Sequence, residues 1–170
     1  ILLVIPISFN FAEEPFLEIP HRFGKITLGL TMESTEKELE RDGNFYYRGS
    51  PDISILQRPN ESLIECRGYD FVERAFFQFK ENKLYSITIL LNQELLDHYS
   101  LYTTLSGKYG EPAELNPEKS KWISDKNILV LERPLQIKYL DREIFEGITN
   151  DSKISKSPSE LSQVQFLEQF

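Results

Sequence analysis

The chain has 170 residues, with 27 acidic and 19 basic side chains and a formal net charge of −8 at neutral pH. This length suits one domain that buries a hydrophobic core without disulfides or metals, and 40% apolar residues is a globular composition. The acidic balance argues against a nucleic-acid binder, and the single cysteine, Cys66, excludes an intramolecular disulfide and a thiolate zinc cluster.

Residues 1–12 form an apolar run that ends at Ala12 and is followed by acidic residues. A secretory signal has an apolar stretch of about 7–15 residues before a small residue at the cleavage site. We therefore expect a truncated signal peptide here and a domain that is exported, periplasmic or extracellular. The run is too short to cross a bilayer as a helix, so we expect no transmembrane segment. The alternative is that Leu2 to Phe9 form the first strand of the domain.

The domain is expected over residues 13–148, beginning with a polar lead-in and a short alternating strand at 25–30. Thr31 is a typical N-cap, and the apolar spacing after it predicts a helix over 31–42. The segment Asp42-Gly43-Asn44 favours a left-handed helix end. Gly and Pro then separate several short strands. These strands are expected at 45–48, 53–56 and 63–67.

The strongest local pattern is a β-hairpin over residues 74–91. Two alternating apolar runs flank Glu81-Asn82-Lys83, and a three-residue loop puts every apolar pair on one face. We expect Asn82 or Lys83 in the left-handed conformation. The predicted partners are Phe79 with Tyr85, Phe77 with Ile87, and Ala75 with Ile89.

The main helix is predicted over 93–109, because apolar residues recur at helical spacing and Gly110 and Pro112 end the pattern. A loop over 111–120 and a further hairpin starting at Trp122 follow. The sequence then predicts a last strand at 135–139, a short helix at 141–148 and a flexible tail over 149–170. The expected fold is α+β, a two-layer sandwich in which helix 93–109 crosses one face of an antiparallel meandering sheet, beside helix 31–42.

Two short segments carry a resemblance to a known family. Ile26-Thr27-Leu28-Gly29-Leu30-Thr31 at the entry to a helix, and Leu105-Ser106-Gly107-Lys108-Tyr109-Gly110-Glu111-Pro112 before Trp122, resemble the small outer-membrane assembly lipoproteins of the SmpA/BamE type. The β-lactamase-inhibitor-like proteins share this order of a helix and then strands. The resemblance implies an α+β fold in the cell envelope. The chain lacks the lipidated cysteine of the lipoproteins and adds strands between its helices.

The sequence offers no catalytic or metal-binding set. Its two histidines, His21 and His98, are not spaced as zinc ligands, and no Gly-x-Ser-x-Gly motif is present. His98 lies off the apolar stripe of its helix, so we expect it in solvent. Cys66 lies in a short strand and is expected to be a buried apolar residue. We therefore expect no cofactor, and the alternative acid–base candidates are paired carboxylates among Asp52, Glu65, Asp70 and Glu73.

One group of residues favours binding. Arginines and tyrosines are concentrated in the strand-rich middle of this acidic chain, and both residue types are enriched at binding hot spots. If adjacent strands bring Arg48, Arg67 and Arg74 together, they form a cationic, aromatic-lined patch. In the alternative interpretation these arginines only pair with Asp52, Asp70 and Glu73. The candidate binding residues are Tyr46, Tyr47, Arg48, Asp52, Arg67, Tyr69 and Arg74, with Arg58 and Asp70 close by in the sequence.

The function expected from these patterns is that of a non-enzymatic module of the cell envelope. Its partner would be an envelope protein or a small carboxylate-bearing ligand. One alternative is a carboxylate-dependent hydrolase with a cleft on the sheet. Another is a structural subunit of an envelope assembly, for which a large exposed apolar patch is expected.

Overall fold

The fold is seen in a computed structural model that describes residues 17–56 and 60–154. These residues form a mostly antiparallel sheet and three helices, so the chain has an α+β fold. The expected signal peptide at 1–12 and Arg58 lie outside the described residues. No helix in the described ranges combines the length and the apolar character needed to cross a membrane.

The described residues contain a two-stranded ribbon and a nine-stranded sheet. The ribbon consists of β1 (Arg22–Phe23) and β2 (Ile26–Thr27), so the strand expected at 25–30 is shorter and pairs with the lead-in. The main sheet consists of β3 (Phe45–Tyr46), β4 (Ile53–Ile55), β5 (Glu61–Gly68), β6 (Val72–Lys80), β7 (Lys83–Leu91), β8 (Glu114–Leu115), β9 (Lys119–Ile123), β10 (Asn127–Glu132) and β11 (Gln136–Asp141).

The order of the main sheet is that of two meanders joined at their last strands. It runs β3-β5-β6-β7-β11-β10-β9-β8, and β4 pairs with β5 beside β3. Strand β7 ends the first meander, β11 ends the second, and the two pair antiparallel with Ile89 opposite Ile137. The strand order is therefore symmetric about the β7–β11 pair, and each meander follows a helix in the sequence.

The β6–β7 hairpin confirms two of the three predicted pairs, Phe77 with Ile87 and Ala75 with Ile89. The predicted pair of Phe79 with Tyr85 is wrong, because Phe79 lies opposite Leu84. The loop has two residues, Glu81 and Asn82, both with positive φ, as in the turns that match strand twist. A β-bulge between Gln78 and Phe79 shifts the register by one residue. Beyond this bulge, Phe77 and Ala75 therefore have their predicted partners.

Helix α1 (Met32–Leu39) begins where the sequence predicts. The Thr31 side chain accepts a hydrogen bond from the backbone N–H of Ser34. The helix ends at Leu39 with Glu40 as its C-cap, so the predicted end at 42 is wrong, and Gly43 does not adopt the expected left-handed conformation. The carboxylate of Asp42 instead accepts a hydrogen bond from the backbone N–H of Asn44 and forms a local turn.

Helix α2 (His98–Tyr109) is shorter than predicted, because the Asp97 carboxylate caps its first turn by accepting from the N–H of Ser100. Residues 93–97 therefore lie outside the helix, which ends at Gly110 as expected. His98 is partly buried, with its Nε2 atom shielded from solvent, so its expected exposure is wrong.

Helix α3 (Arg142–Ile154) is longer than the predicted helix at 141–148. Residues 149–154 therefore belong to a helix rather than to a flexible tail. The rest of the expected tail lies outside the described residues.

The main hydrophobic core contains residues of both long meanders and of two helices. Leu39 of α1 and Leu105 of α2 belong to the same buried cluster as Phe77, Ile87 and Leu129. Alternate residues of β10 and β11 form a second, smaller cluster of Ile128, Val130 and Leu140, against which Phe145 of α3 packs. Strand β10 is therefore buried on both of its faces.

Candidate functional site

A gap in the outer edge of the sheet creates the candidate site. On this edge of β5, the short strand β3 pairs with Arg67 and Gly68, and β4 pairs with residues 62–64. In the part of the chain that the structure describes, Glu65 and Cys66 have no strand partner on that side. The chain between β3 and β4 leaves the sheet at Gly49, whose φ is 79°, and returns through a 3-10 turn at Ser50–Asp52. A cavity of about 280 Å³ occupies the gap.

The cavity gathers three arginines that are distant in the sequence. We call it the arginine cleft. Arg48 comes from the loop after β3, Arg67 from β5 and Arg74 from β6, and all three line the same cavity. The cleft is lined by Arg48, Pro51, Asp52, Ser54, Glu65, Cys66, Arg67 and Arg74.

Arg48 and Asp52 form the rigid wall of the cleft. The Asp52 carboxylate is buried, and it accepts hydrogen bonds from the backbone N–H of Arg48 at 2.9 Å and from its Nε at 2.8 Å. Hydrogen bonding to Asp52, and its negative charge, raise the pKa of the Arg48 guanidinium above its usual range. A buried carboxylate held in this way fixes the loop, because losing Arg48 would leave the buried Asp52 carboxylate without its ion-pair partner.

Arg74 has a weaker partner. Its guanidinium donates to Glu65 at 2.9 Å, and both side chains are about half exposed, at 47% and 42%. Exposed ion pairs of this kind contribute about 0–1 kcal/mol. The alternative, in which these arginines pair with Asp52, Asp70 and Glu73, holds for Arg48 with Asp52 and is wrong for Arg74, which pairs with Glu65. Glu65 can therefore be displaced from Arg74 at little cost.

Arg67 has no carboxylate partner within residues 17–56 and 60–154. It lies directly opposite Arg74 on one side and opposite Tyr46 on the other. Among the described residues, its side chain makes no hydrogen bond and no ion pair. Like charges directly opposite one another on a sheet are destabilising. The cleft therefore holds one cation whose charge no neighbouring acid matches.

Two exposed tyrosines adjoin this cation. Tyr46 and Tyr69 contact each other edge to face, with ring centroids 6.1 Å apart, and each is about half exposed. We call them the tyrosine pair. Tyr47 does not join them, because alternation along the strand turns it to the core, where its hydroxyl donates to Glu36. Burial raises the pKa of Tyr47, and the hydrogen bond to Glu36 raises it further.

Several lining residues are absent from the predicted site, chiefly Glu65, Cys66, Pro51 and Ser54. Glu65 lies two residues before Arg67, and the period of a strand puts them on the same face, so alternation could have identified it. Cys66 is a buried residue, as expected, and burial raises the pKa of its thiol to about 12. It is therefore a neutral part of the cleft wall.

The remaining chemistry of the described residues is sparse. Within residues 17–56 and 60–154, no group of three or more His, Cys, Asp or Glu side chains is arranged to hold a metal ion. Both carboxylates of the cleft are bound to arginines, Asp52 to Arg48 and Glu65 to Arg74. The arrangement is suited to binding an anionic group between Arg67 and Arg74.

Comparison with known proteins gives one relationship. Neither the curated proteins nor the solved structures contain a match to this chain. A family model described as the TP0088 domain matches residues 21–151, which include the three helices up to Asp151 and all the strands described above. Because this match covers most of the chain, the protein belongs to the TP0088-domain family.

Proposed function

We propose that this protein is a non-enzymatic binding module of the cell envelope that recognises a carboxylate through the arginine cleft. The observation that supports it best is Arg67, which lies opposite Arg74 and has no acidic partner among the described residues. An uncompensated guanidinium beside a second one is costly for the isolated protein. A bound anion removes that cost.

The chemistry of the cleft favours a carboxylate as the anion. An arginine presents planar donors that match the two oxygens of a carboxylate. The Glu65 carboxylate already accepts a hydrogen bond from Arg74 at 2.9 Å. It therefore occupies the position that we propose for the carboxylate of the ligand. A carboxylate seated between Arg67 and Arg74 would share the donors of both side chains. Binding of this kind weakens as ionic strength rises.

The hydrolase alternative lacks a supporting arrangement. Acid–base catalysis by two carboxylates requires them to face a common substrate, one as acid and one as base. In the cleft, Asp52 and Glu65 are instead each bound to an arginine. These pairs favour binding over hydrolysis as the use of this cavity.

The proposed function is tested by titrating the full chain with N-acetyl-glutamate at low ionic strength while recording backbone amide NMR shifts. We expect shifts concentrated at residues 48, 65–67 and 74, and we expect Arg67→Ala to abolish them. Arg22→Ala is the matched control, since it removes an exposed arginine from the separate ribbon. Shifts spread over the whole surface, or unchanged in Arg67→Ala, would refute the proposal.

We also propose the envelope as the compartment, on the apolar composition of residues 1–12. A fusion of the N-terminal region, as the native gene encodes it, to a reporter that is active only outside the cytoplasm tests this. Reporter activity supports export. A fusion that is active only when a known signal is added in front contradicts it.

For the architecture we propose the two-layer sandwich, with α1 and α2 as the second layer over one face of the main sheet. Its support is that Leu39 and Leu105 share one buried cluster with the strands. Methyl NOEs test the arrangement. We expect contacts from both leucines to the main cluster and none to Ile128, Val130 or Leu140.

A further inference from the structure

We propose that the carboxylate recognised by the arginine cleft belongs to an acidic side chain of a polypeptide partner, and that an apolar residue beside it packs on the tyrosine pair. This inference rests on the proposed function and identifies the class of its ligand. It has three supports: the polar lining of the cavity, the position of Tyr46 and Tyr69, and the charge of the surface.

The lining of the cavity favours a side chain over a free small molecule. Sites for small ligands are typically lined mostly by apolar side chains, which enclose most of the ligand. Most side chains that line the arginine cleft are charged or polar, and Pro51 and Cys66 are its apolar members. The cleft therefore offers recognition of a charged group and little apolar contact. Apolar contacts for the rest of a ligand are available on the neighbouring surface, outside the cleft.

That neighbouring surface contains the tyrosine pair. Tyr46 is the cross-strand partner of Arg67, and residues paired in this way have Cβ atoms about 4.5–5.5 Å apart. Tyr46 and Tyr69 expose 49% and 48% of their surfaces although they contact each other. Phe71, in the same turn as Tyr69, is 54% exposed. Exposed aromatic rings beside an unpaired arginine match the composition of protein-binding hot spots.

The charge of the cleft selects an acidic partner rather than a second copy of the chain. A symmetric dimer through this surface would place each arginine cleft near the same cleft of the other protomer. Arg67 would then face further arginines, and the charge that is already unmatched would be doubled. A segment that carries Asp or Glu next to a large apolar residue complements both parts of the surface.

The internal ion pair of Arg74 supplies a sharp test. Glu65 holds Arg74 in the free protein, so an incoming carboxylate must displace it. Glu65→Gln removes this competitor and one negative charge from the cleft. We therefore expect Glu65→Gln to tighten peptide binding, whereas a purely structural role for Glu65 predicts no gain.

The experiment measures fluorescence anisotropy of two labelled hexapeptides with the full chain at low ionic strength. One peptide alternates Asp with Phe, and the other alternates Asp with Ser. We expect the Asp/Phe peptide to bind at least about ten-fold more tightly, because only it can pack on the tyrosine pair. Arg67→Ala and Tyr69→Ala should each weaken this binding by about ten-fold, and Arg22→Ala should leave it unchanged.

The outcomes separate this inference from the proposed function. If Arg67→Ala abolishes binding of both peptides while Tyr69→Ala and Tyr46→Ala change neither, the carboxylate site stands and the polypeptide inference is overturned. If N-acetyl-glutamate binds but neither peptide does, the inference is again overturned. If Arg67→Ala changes nothing, both proposals fail. Circular dichroism and melting curves of each variant verify that the fold is retained.

Discussion

Gly68 ends β5 beside Arg67, at a point where the backbone of the next strand comes very close. A Cβ atom at this position would lie 2.3 Å from Cγ1 of Val72 and 2.4 Å from its carbonyl oxygen. The backbone oxygen cannot move away as a flexible side-chain end can. We therefore expect Gly68→Ala to lower the free energy of unfolding by about 1–3 kcal/mol, as overpacking does. Urea denaturation measures this change.

Gly107 supplies the matched control for that substitution. It lies inside α2, and an added Cβ would meet no atom within 4 Å. Replacing glycine by alanine within a helix stabilises it by about 0.5–1 kcal/mol. Gly107→Ala should therefore raise stability while Gly68→Ala lowers it. Equal effects at the two positions would contradict the close approach of Val72.

The thiol of Cys66 makes stability depend on pH in the alkaline range. Burial raises its pKa to about 12 in the folded protein, while an unfolded thiol has a pKa of about 8.5. Above pH 8.5 only the unfolded state releases the proton, so the stability contributed by the protonated thiol is lost as pH rises. Cys66→Ala should remove this part of the pH dependence.

Thiol reactivity gives a second measurement on Cys66. At pH 8 the thiol is neutral and buried, so Ellman's reagent should modify it only as fast as the protein unfolds. Urea should raise the rate in step with the unfolded fraction. Rapid modification in buffer would show that the cleft exposes the sulfur.

Among the elements, the β6–β7 turn contains a residue that fits its conformation poorly. Glu81 and Asn82 have φ values of 50° and 61°, a conformation that asparagine tolerates and glutamate does not. We expect Glu81→Asn to stabilise the protein by about 0.5–1 kcal/mol, and thermal unfolding measures the gain. Glu81→Ala is the control, because alanine has the same steric cost as glutamate. An equal gain from both variants would trace the effect to charge instead.

The same hairpin shows what the sequence could predict about the elements. Alternation of apolar residues predicts the face on which Phe77 and Ile87 lie, because successive side chains of a strand point to opposite faces of the sheet. It does not predict the loop length, since a bulge lets a two-residue turn produce the same inner register. Helix α2 is similar: Leu95 fits the helical spacing, but the Asp97 cap sets the start.

The candidate site was predictable only in part, for a related reason. The concentration of arginines in short neighbouring strands identifies Arg48, Arg67 and Arg74 as candidates for one patch, but it does not show that the strands bring them together. Which acid serves which arginine depends on strand register, so Glu65 could not be assigned to Arg74 from the sequence. The gap opposite Glu65 and Cys66 depends on where β3 and β4 stop pairing. The hydrogen bonds available along the whole sheet edge, rather than the strand propensity of each segment, decide where β3 and β4 end.

For the whole molecule, α3 covers an apolar surface on the sheet. Ile128, Val130 and Leu140 form a buried cluster there, with Phe145 packed against it. A chain truncated after Asp141 loses α3 and exposes this cluster, so we expect it to bind the dye ANS and to self-associate. Dye fluorescence and size-exclusion chromatography measure both effects. A chain truncated after Ile154 keeps the helix and is the control; equal dye binding by both chains would contradict this covering role.

The symmetric strand order has a consequence for how quickly the chain folds. Within each meander, partners are neighbours in the sequence, and their pairing requires only short loops to close. Ile89 and Ile137 are partners across the centre, yet α2 and strands β8, β9 and β10 lie between them in the sequence. Closing so long a loop costs more entropy than closing a hairpin loop, so this junction raises the contact order of the fold. We therefore expect the two meanders to form quickly and then to pair slowly with each other through β7 and β11.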